Sequence, residues 1–236
     1  GVDLYFGCPA RTVNKSDGGA VILREPARVA RIVEAVRHAV PGDVPVTVKT
    51  RLGFEDAFLF EDIVRGIGEA GASELTVHAR TRRQGYRPPA YWEEVARARE
   101  WLSIPVIANG EIWSVEDARR CRSSSGCPDL MLGRGALCRP DLARLIRAHD
   151  EGEDISPMRW TEILSLVLKL LDLNLAHYDA AYAPNPIKQW LNYLRHYYPQ
   201  AAIMFEGIKR ERDPVELRQR LATALAAAPP PQRDAA

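Results

Sequence analysis

Five short apolar, β-branched runs alternate with longer amphipathic segments over the first two-thirds of the chain. The runs, Val2–Phe6, Pro45–Thr50, Glu74–Ala79, Pro105–Asn109 and Asp129–Leu132, read as buried strands. The segments that follow them, Pro26–Val40, Asp56–Ala70, Tyr91–Leu102, Ser114–Ser124 and Arg139–Asp150, read as helices. In the first of these, Val29, Ile32, Val33, Val36 and Val40 recur at helical spacing. Pro26 after Glu25, and Ser114 ahead of an acidic turn, mark two helix starts. Strand–helix units of about 25–45 residues imply parallel strands joined by right-handed crossovers.

A doubly wound open sheet and a (β/α)8 barrel both satisfy this pattern. The strand ends favour the barrel. They carry Cys8, Lys49 with Arg51, His78 with Arg80, Asn109 with Glu111, and Gly133 with Arg134. A barrel gathers all its strand ends around one site, whereas an open sheet gathers only those at a switch point. The expected fold is therefore α/β: the C-terminal five β/α units of a TIM (β/α)8 barrel, followed by a small all-α domain. Five units are about three short of closure. The chain also begins with Gly1 rather than methionine. An N-terminal truncation is the expectation.

Beyond Asp150 the pattern changes. EGEDISP is a polar linker, Trp160–His177 a Leu-rich helix, and Pro184-Asn-Pro a break. Helices resume over Ile187–Tyr198 and Pro214–Ala228. The expected domains are a partial barrel over 1–150, a helical domain over 155–228 and a disordered tail over 229–236. A chain of 236 residues, 46% of them hydrophobic, supports one core with a smaller second one. With 32 basic against 31 acidic residues, global charge says nothing about a nucleic-acid partner, and only local clusters can. The four cysteines form no CxxC pair, so neither a metal site nor a disulfide framework is expected. A reducing, cytoplasmic setting fits. No apolar run approaches the ~18–20 residues of a membrane span.

Each candidate residue carries two readings. Cys8 is either a small core hydrophobe or a thiol at the barrel mouth, able to act as nucleophile or proton donor. Lys49 either snorkels at the rim or holds an anionic substrate or an electron-rich ring. His78 is either a hydrogen-bonded core residue or a site residue. Three such strand ends together favour a site. Gly110, Gly133 and Gly135 let backbone N–H groups approach a ligand, and Arg134 adds a charged contact, as phosphate sites after the last barrel strands require. Arg80, Arg82, Arg83 and Arg87 crowd one loop with Tyr86; they form a solvated basic loop or a patch for a polyanion that delivers a base. Lys188 and Arg195 share a polar helix face that is either solvated or tracks phosphates.

The stretches GCPARTVN, VKTRLG, VHARTRRQGY, IANGEIW and LGRGAL resemble, in order, those of bacterial tRNA-dihydrouridine synthases, and IKQWLNYLR points to the C subgroup. The resemblance implies an FMN enzyme that reduces the C5–C6 bond of a D-loop uridine, position 16 by subgroup, with NADPH as reductant. It implies Cys8 as the proton donor to C5. It implies Lys49, His78, Asn109, Gly110, Glu111, Gly133 and Arg134 as cofactor contacts. Tyr5, Arg80, Arg82, Arg83, Tyr86, Arg87, Lys188 and Arg195 then become substrate or tRNA contacts, on a cytoplasmic monomer that holds no metal. The chain departs from the family's Asp-Leu-Asn-Met-Gly-Cys-Pro: Tyr5 stands where the uracil-holding asparagine is usual, and Phe6 replaces the methionine. Two other functions stay open at this point. One is an FMN barrel acting on a small molecule, such as a dihydroorotate-dehydrogenase-like protein. The other is a truncated or degenerate RNA-binding chain without redox chemistry.

Overall fold

The structure, a computed structural model, describes residues 1–227, which form two compact units meeting in sequence at Gly133 and Arg134. The tail expected over 229–236 lies outside the described residues.

The first unit is a parallel five-stranded sheet in the order β1-β2-β3-β4-β5. Its strands are β1 Val2–Tyr5, β2 Val46–Arg51, β3 Glu74–His78, β4 Val106–Asn109 and β5 Leu130–Met131. Consecutive order with crossovers of one hand puts every connecting helix on the same side, as in a barrel wall. Those helices are α1 Arg11–Lys15, α2 Pro26–Ala39, α3 Phe60–Glu69, α4 Trp92–Trp101 and α5 Val115–Ser125. The α/β expectation holds, with a sheet of the kind a TIM-barrel fragment provides.

Strand alternation sorts the two faces. Val48 pairs with Leu75, and Leu75 with Val106; all three are buried on one face. Tyr5, Lys49 and Thr76 share a register row on the other face, and Arg51, His78, Asn109 and Met131 share the next row. The alternation expected of a half-polar parallel sheet thus delivers the strand-end chemistry to one side.

Ser114 caps α5 by accepting from the Asp117 N–H at 3.0 Å, and Pro26 opens α2. Helix α3 begins four residues later than expected. Gly53 has φ of 155°, and a Cβ there would lie 2.0 Å from the Asp56 carbonyl oxygen. The chain folds tightly on itself before the helix starts. A short α1 and a 3-10 turn over Gly19–Arg24 were not expected; five residues at helical spacing carry too little pattern to be read.

The second unit holds α6 Arg134–Cys138, α7 Leu142–Glu151, α8 Trp160–His177, α9 Pro184–Leu194, α10 Pro199–Ile208 and α11 Pro214–Ala226. Helix α7, read from sequence with the 1–150 domain, groups here with the helices that follow it. Ile163, Val167 and Leu171 on α8, Ile187 and Leu191 on α9, and Leu217 on α11 belong to its core. Pro184-Asn-Pro does not break the chain as expected. It opens α9, because first-turn N–H groups have no helical partner and proline lacks only that group. Pro199 starts α10 for the same reason, so the helix expected over Ile187–Tyr198 ends at Leu194.

Candidate active site at the carboxyl ends of the strands

Three segments of the first unit meet around Arg51. This side chain is buried, and its Nε donates to the Gly7 carbonyl at 2.9 Å. Its Nη1 donates to the carbonyls of Thr81 at 3.2 Å and Gly85 at 3.0 Å. The guanidinium also stands 5.2 Å from the centre of the Tyr86 ring. Arg51 therefore ties the Gly7–Cys8 turn after β1 to the arginine-rich loop after β3. Sequence reasoning placed Arg51 at a strand end without a role. The available signal was its spacing, two residues after Lys49 and hence on the same face.

The Cys8 turn is anchored by backbone. The Cys8 carbonyl accepts from Asn14 Nδ2 at 2.8 Å and from the Ala20 N–H at 3.0 Å. Cys8 is half-buried, whereas Cys121, Cys127 and Cys138 are buried. Burial pushes the Cys121 thiol up to about 12, so it has little thiolate character. Tyr5 is 47% exposed and lies over the turn; a Cβ at Gly7 would come 2.6 Å from its ring. Partial burial raises the Tyr5 phenol above its ordinary value, against the opposing pull of the Arg51 charge.

Lys49 Nζ donates to Asn109 Oδ1 at 2.9 Å, and Asn109 Nδ2 donates to the Met131 carbonyl at 2.6 Å. The row thus crosses β2, β4 and β5. Burial, with the Arg51 charge behind it, lowers the Lys49 ammonium to about 8. The folded chain then sheds this proton near pH 8, and the unfolded chain only near the ordinary value of 10.5. Between those values the unfolded state binds more protons, so stability rises with pH. The burial penalty is complete below the folded value and absent above the unfolded one. Thermal unfolding followed from pH 7.5 to 10 is expected to show that rise in the wild type, about one proton's worth, and to lose it in Lys49→Met.

The Asn109–Glu111 turn is held from four sides. Gly110 has φ of 117°, and a Cβ there would fall 2.8 Å from His78 Cδ2. Trp92 Nε1 donates to the Gly110 carbonyl at 2.9 Å. The Glu111 carboxylate accepts from Trp113 Nε1 at 3.0 Å and pairs with Arg80. Arg80 Nε donates to the Pro89 carbonyl at 3.0 Å. Arg80 as an RNA contact is corrected here: its side chain is 0% exposed and anchors a turn.

Arg83 and Arg87 are exposed, and Arg82 lies 5.2 Å over the Phe54 ring. Tyr86 is half-exposed beside His78, with ring centres 5.9 Å apart. Cys8, Tyr5, Lys49, His78, Asn109, Gly110 and Glu111 thus all belong to the carboxyl end of one sheet. Gly133 closes the first unit with open space where a Cβ would stand. Arg134 opens α6 in the second unit, which also carries Lys188 and Arg195. Lys188 donates to the Glu211 carbonyl, and Arg195 lies 5.2 Å over the Phe205 ring.

A half-buried ammonium whose hydrogen-bond partner is a neutral amide suits an anion or an electron-rich ring. A glycine turn beside it admits a ligand against the backbone. The arrangement fits a planar anionic cofactor.

The family model described as Dihydrouridine synthase (Dus) matches residues 1–228. The chain is 49% identical over 212 residues to the tRNA-dihydrouridine(16) synthase of Pseudomonas syringae pv. tomato, covering 90% of this chain and 67% of that protein. It is 49% identical over 221 residues to the enzyme of the same name from Aquipseudomonas alcaligenes, covering 94% and 70%. Against the one from Haemophilus influenzae the identity is 42% over 222 residues, covering 94% and 70%.

Proposed function

The chain belongs to the dihydrouridine synthase family, and on that premise we propose that it reduces the C5–C6 bond of uridine 16 in the D-loop of tRNA. The observation that carries the reading is the strand-end row: Lys49 bonded to Asn109, with Arg51 beside it gripping the Gly7–Cys8 turn. Lys49, His78, Asn109, Gly110, Glu111, Gly133 and Arg134 would hold FMN. FMN, when bound there, would supply hydride for C6 of the uracil, with NADPH as the source of the electrons. Cys8 gives its thiol proton to C5, which completes the reduction. Tyr5 stands where the base enters. Its hydroxyl takes the hydrogen-bonding part of the family's usual asparagine. The base must leave its stack, which costs a few kcal/mol. Arg82, Arg83, Tyr86 and Arg87 offset that by holding the D-loop. Lys188 and Arg195, on a helical tRNA-binding domain, hold the body of the tRNA. The protein works as a monomer in the cytoplasm. The resemblance of its named relatives to this chain supports position 16 as the target.

The test is direct. Unmodified tRNA, NADPH and the FMN-loaded protein are incubated, and dihydrouridine is mapped by primer extension. Conversion at position 16 is the expected result. A protein that binds tRNA and FMN but converts no uridine would defeat the proposal.

A further inference from the structure

Phe58, in the loop between β2 and α3, is 88% exposed, more than any other large hydrophobic side chain among the described residues. The loop that carries it is well determined by its own contacts. Besides the tight fold at Gly53, the Phe58 N–H donates to Asp56 Oδ1 at 3.0 Å and the Phe60 N–H to the Ala57 carbonyl at 3.0 Å. Two residues on, Phe60 is buried and packs edge-on against Trp101. Buried Phe60 and the fixed turn before it leave Phe58 standing in solvent.

This loop is zipped to the arginine loop. The Arg82 N–H donates to the Gly53 carbonyl and the Arg83 N–H to the Phe54 carbonyl, each at 2.9 Å. Phe54 lies between two cations, with Arg24 at 4.1 Å and Arg82 at 5.2 Å from its ring centre. The loop with the exposed ring and the loop with the exposed Arg83 and Arg87 are thus tied to each other through backbone. Charge divides their tasks. Glu55, Asp56, Glu61 and Asp62 all lie within four residues of Phe58 in the chain, and carboxylates repel phosphate; Arg24 is already paired with Glu55. The neighbouring loop, Thr81 to Arg87, carries Arg82, Arg83 and Arg87 and no acid. An aromatic ring on so acidic a segment is unsuited to a phosphate backbone, but it can take the flat face of an unpaired base.

We infer that Phe58 is a base-stacking residue. It holds an unpaired nucleobase of the RNA while the arginine loop holds the flanking phosphates. The inference rests on the reading of the chain as a tRNA enzyme, and it adds a non-ionic contact on a second loop.

Binding of unmodified tRNA is measured across a salt series for the FMN-loaded wild type, Phe58→Ala, Phe58→Trp and the double variant Arg82→Ala/Arg83→Ala. Phe58→Ala is expected to weaken binding by about 10-fold, within the range for loss of one stacked base. Its slope of log affinity against log salt should stay that of the wild type, because stacking releases no counterions. Phe58→Trp should keep wild-type affinity. The double arginine variant should instead lower the slope by about 2. Melting temperatures of the Phe58 variants should match the wild type, since the ring has little packing to lose. Wild-type affinity in Phe58→Ala overturns the inference while leaving the tRNA reading intact. So does loss of self-association in that variant without a change in tRNA affinity, which would make the ring a protein contact. A wild-type protein that binds no tRNA overturns the tRNA reading, and this inference with it.

Discussion

Replacing Cys8 by alanine is expected to slow uridine reduction by about 10²–10⁴-fold, the usual contribution of a positioned general acid. Flavin and tRNA binding should survive. The Cys8 turn is held by its backbone carbonyl, which Asn14 and Ala20 bond, and by the grip of Arg51 on Gly7; none of these involves the thiol. Removing the sulfur therefore deletes a proton without loosening the turn. No other cysteine can substitute, because Cys121, Cys127 and Cys138 are buried. The measurement is a single turnover with pre-reduced enzyme, which isolates the chemical step from cofactor recharging. An unchanged rate would take Cys8 out of the mechanism.

Arg51→Met should have the largest structural effect. The substitution keeps most of the apolar volume but strips donors from the carbonyls of Gly7, Thr81 and Gly85. Hydrogen bonds from a charged donor are worth about 1.5–3 kcal/mol each, and relief of the buried charge offsets part of their loss. A net destabilisation of about 2–4 kcal/mol is expected in chemical denaturation. The loop from Thr81 to Arg87 should loosen at the same time. It contains Arg82 and Arg83, neither followed by proline, so trypsin reports on it: cleavage there should become markedly faster under native conditions. Arg51→Lys should fall between, since an ammonium cannot reproduce the guanidinium's fork. Cleavage at the wild-type rate in Arg51→Met would show that the loops are held by something else.

Much of the site was legible because a parallel sheet converts sequence spacing into position. Lys49 and Arg51 are two apart on one strand, and His78 and Asn109 end the next two, so alternation and register bring all four to one face. What alternation does not reach was misread. Arg80 lies beyond the end of β3, where no strand rule sets side-chain direction; it turns inward because Pro89 and Glu111 come back from distant sequence to receive it. Phe58 and Phe60 could not be told apart from sequence. They are two residues apart in one FLF run, and only the closure of the chain at Gly53 decides that one is solvated and the other buried. The helix starts at Pro184 and Pro199 escaped for a different reason, although Pro26 and Pro214 were legible as starts. Proline was taken as a terminator, although its missing N–H disqualifies it only from a helix interior.

The imidazole of His78 occupies the volume that any side chain at position 110 would need. The restriction runs one way: position 110 cannot gain a side chain while the histidine stands. A bulkier residue at 110 becomes tolerable only if residue 78 shrinks first, which forfeits the histidine; and the backbone there, in a region that favours glycine, penalises the newcomer even then. A side chain at 110 is thus opposed twice over, by the neighbouring imidazole and by its own backbone.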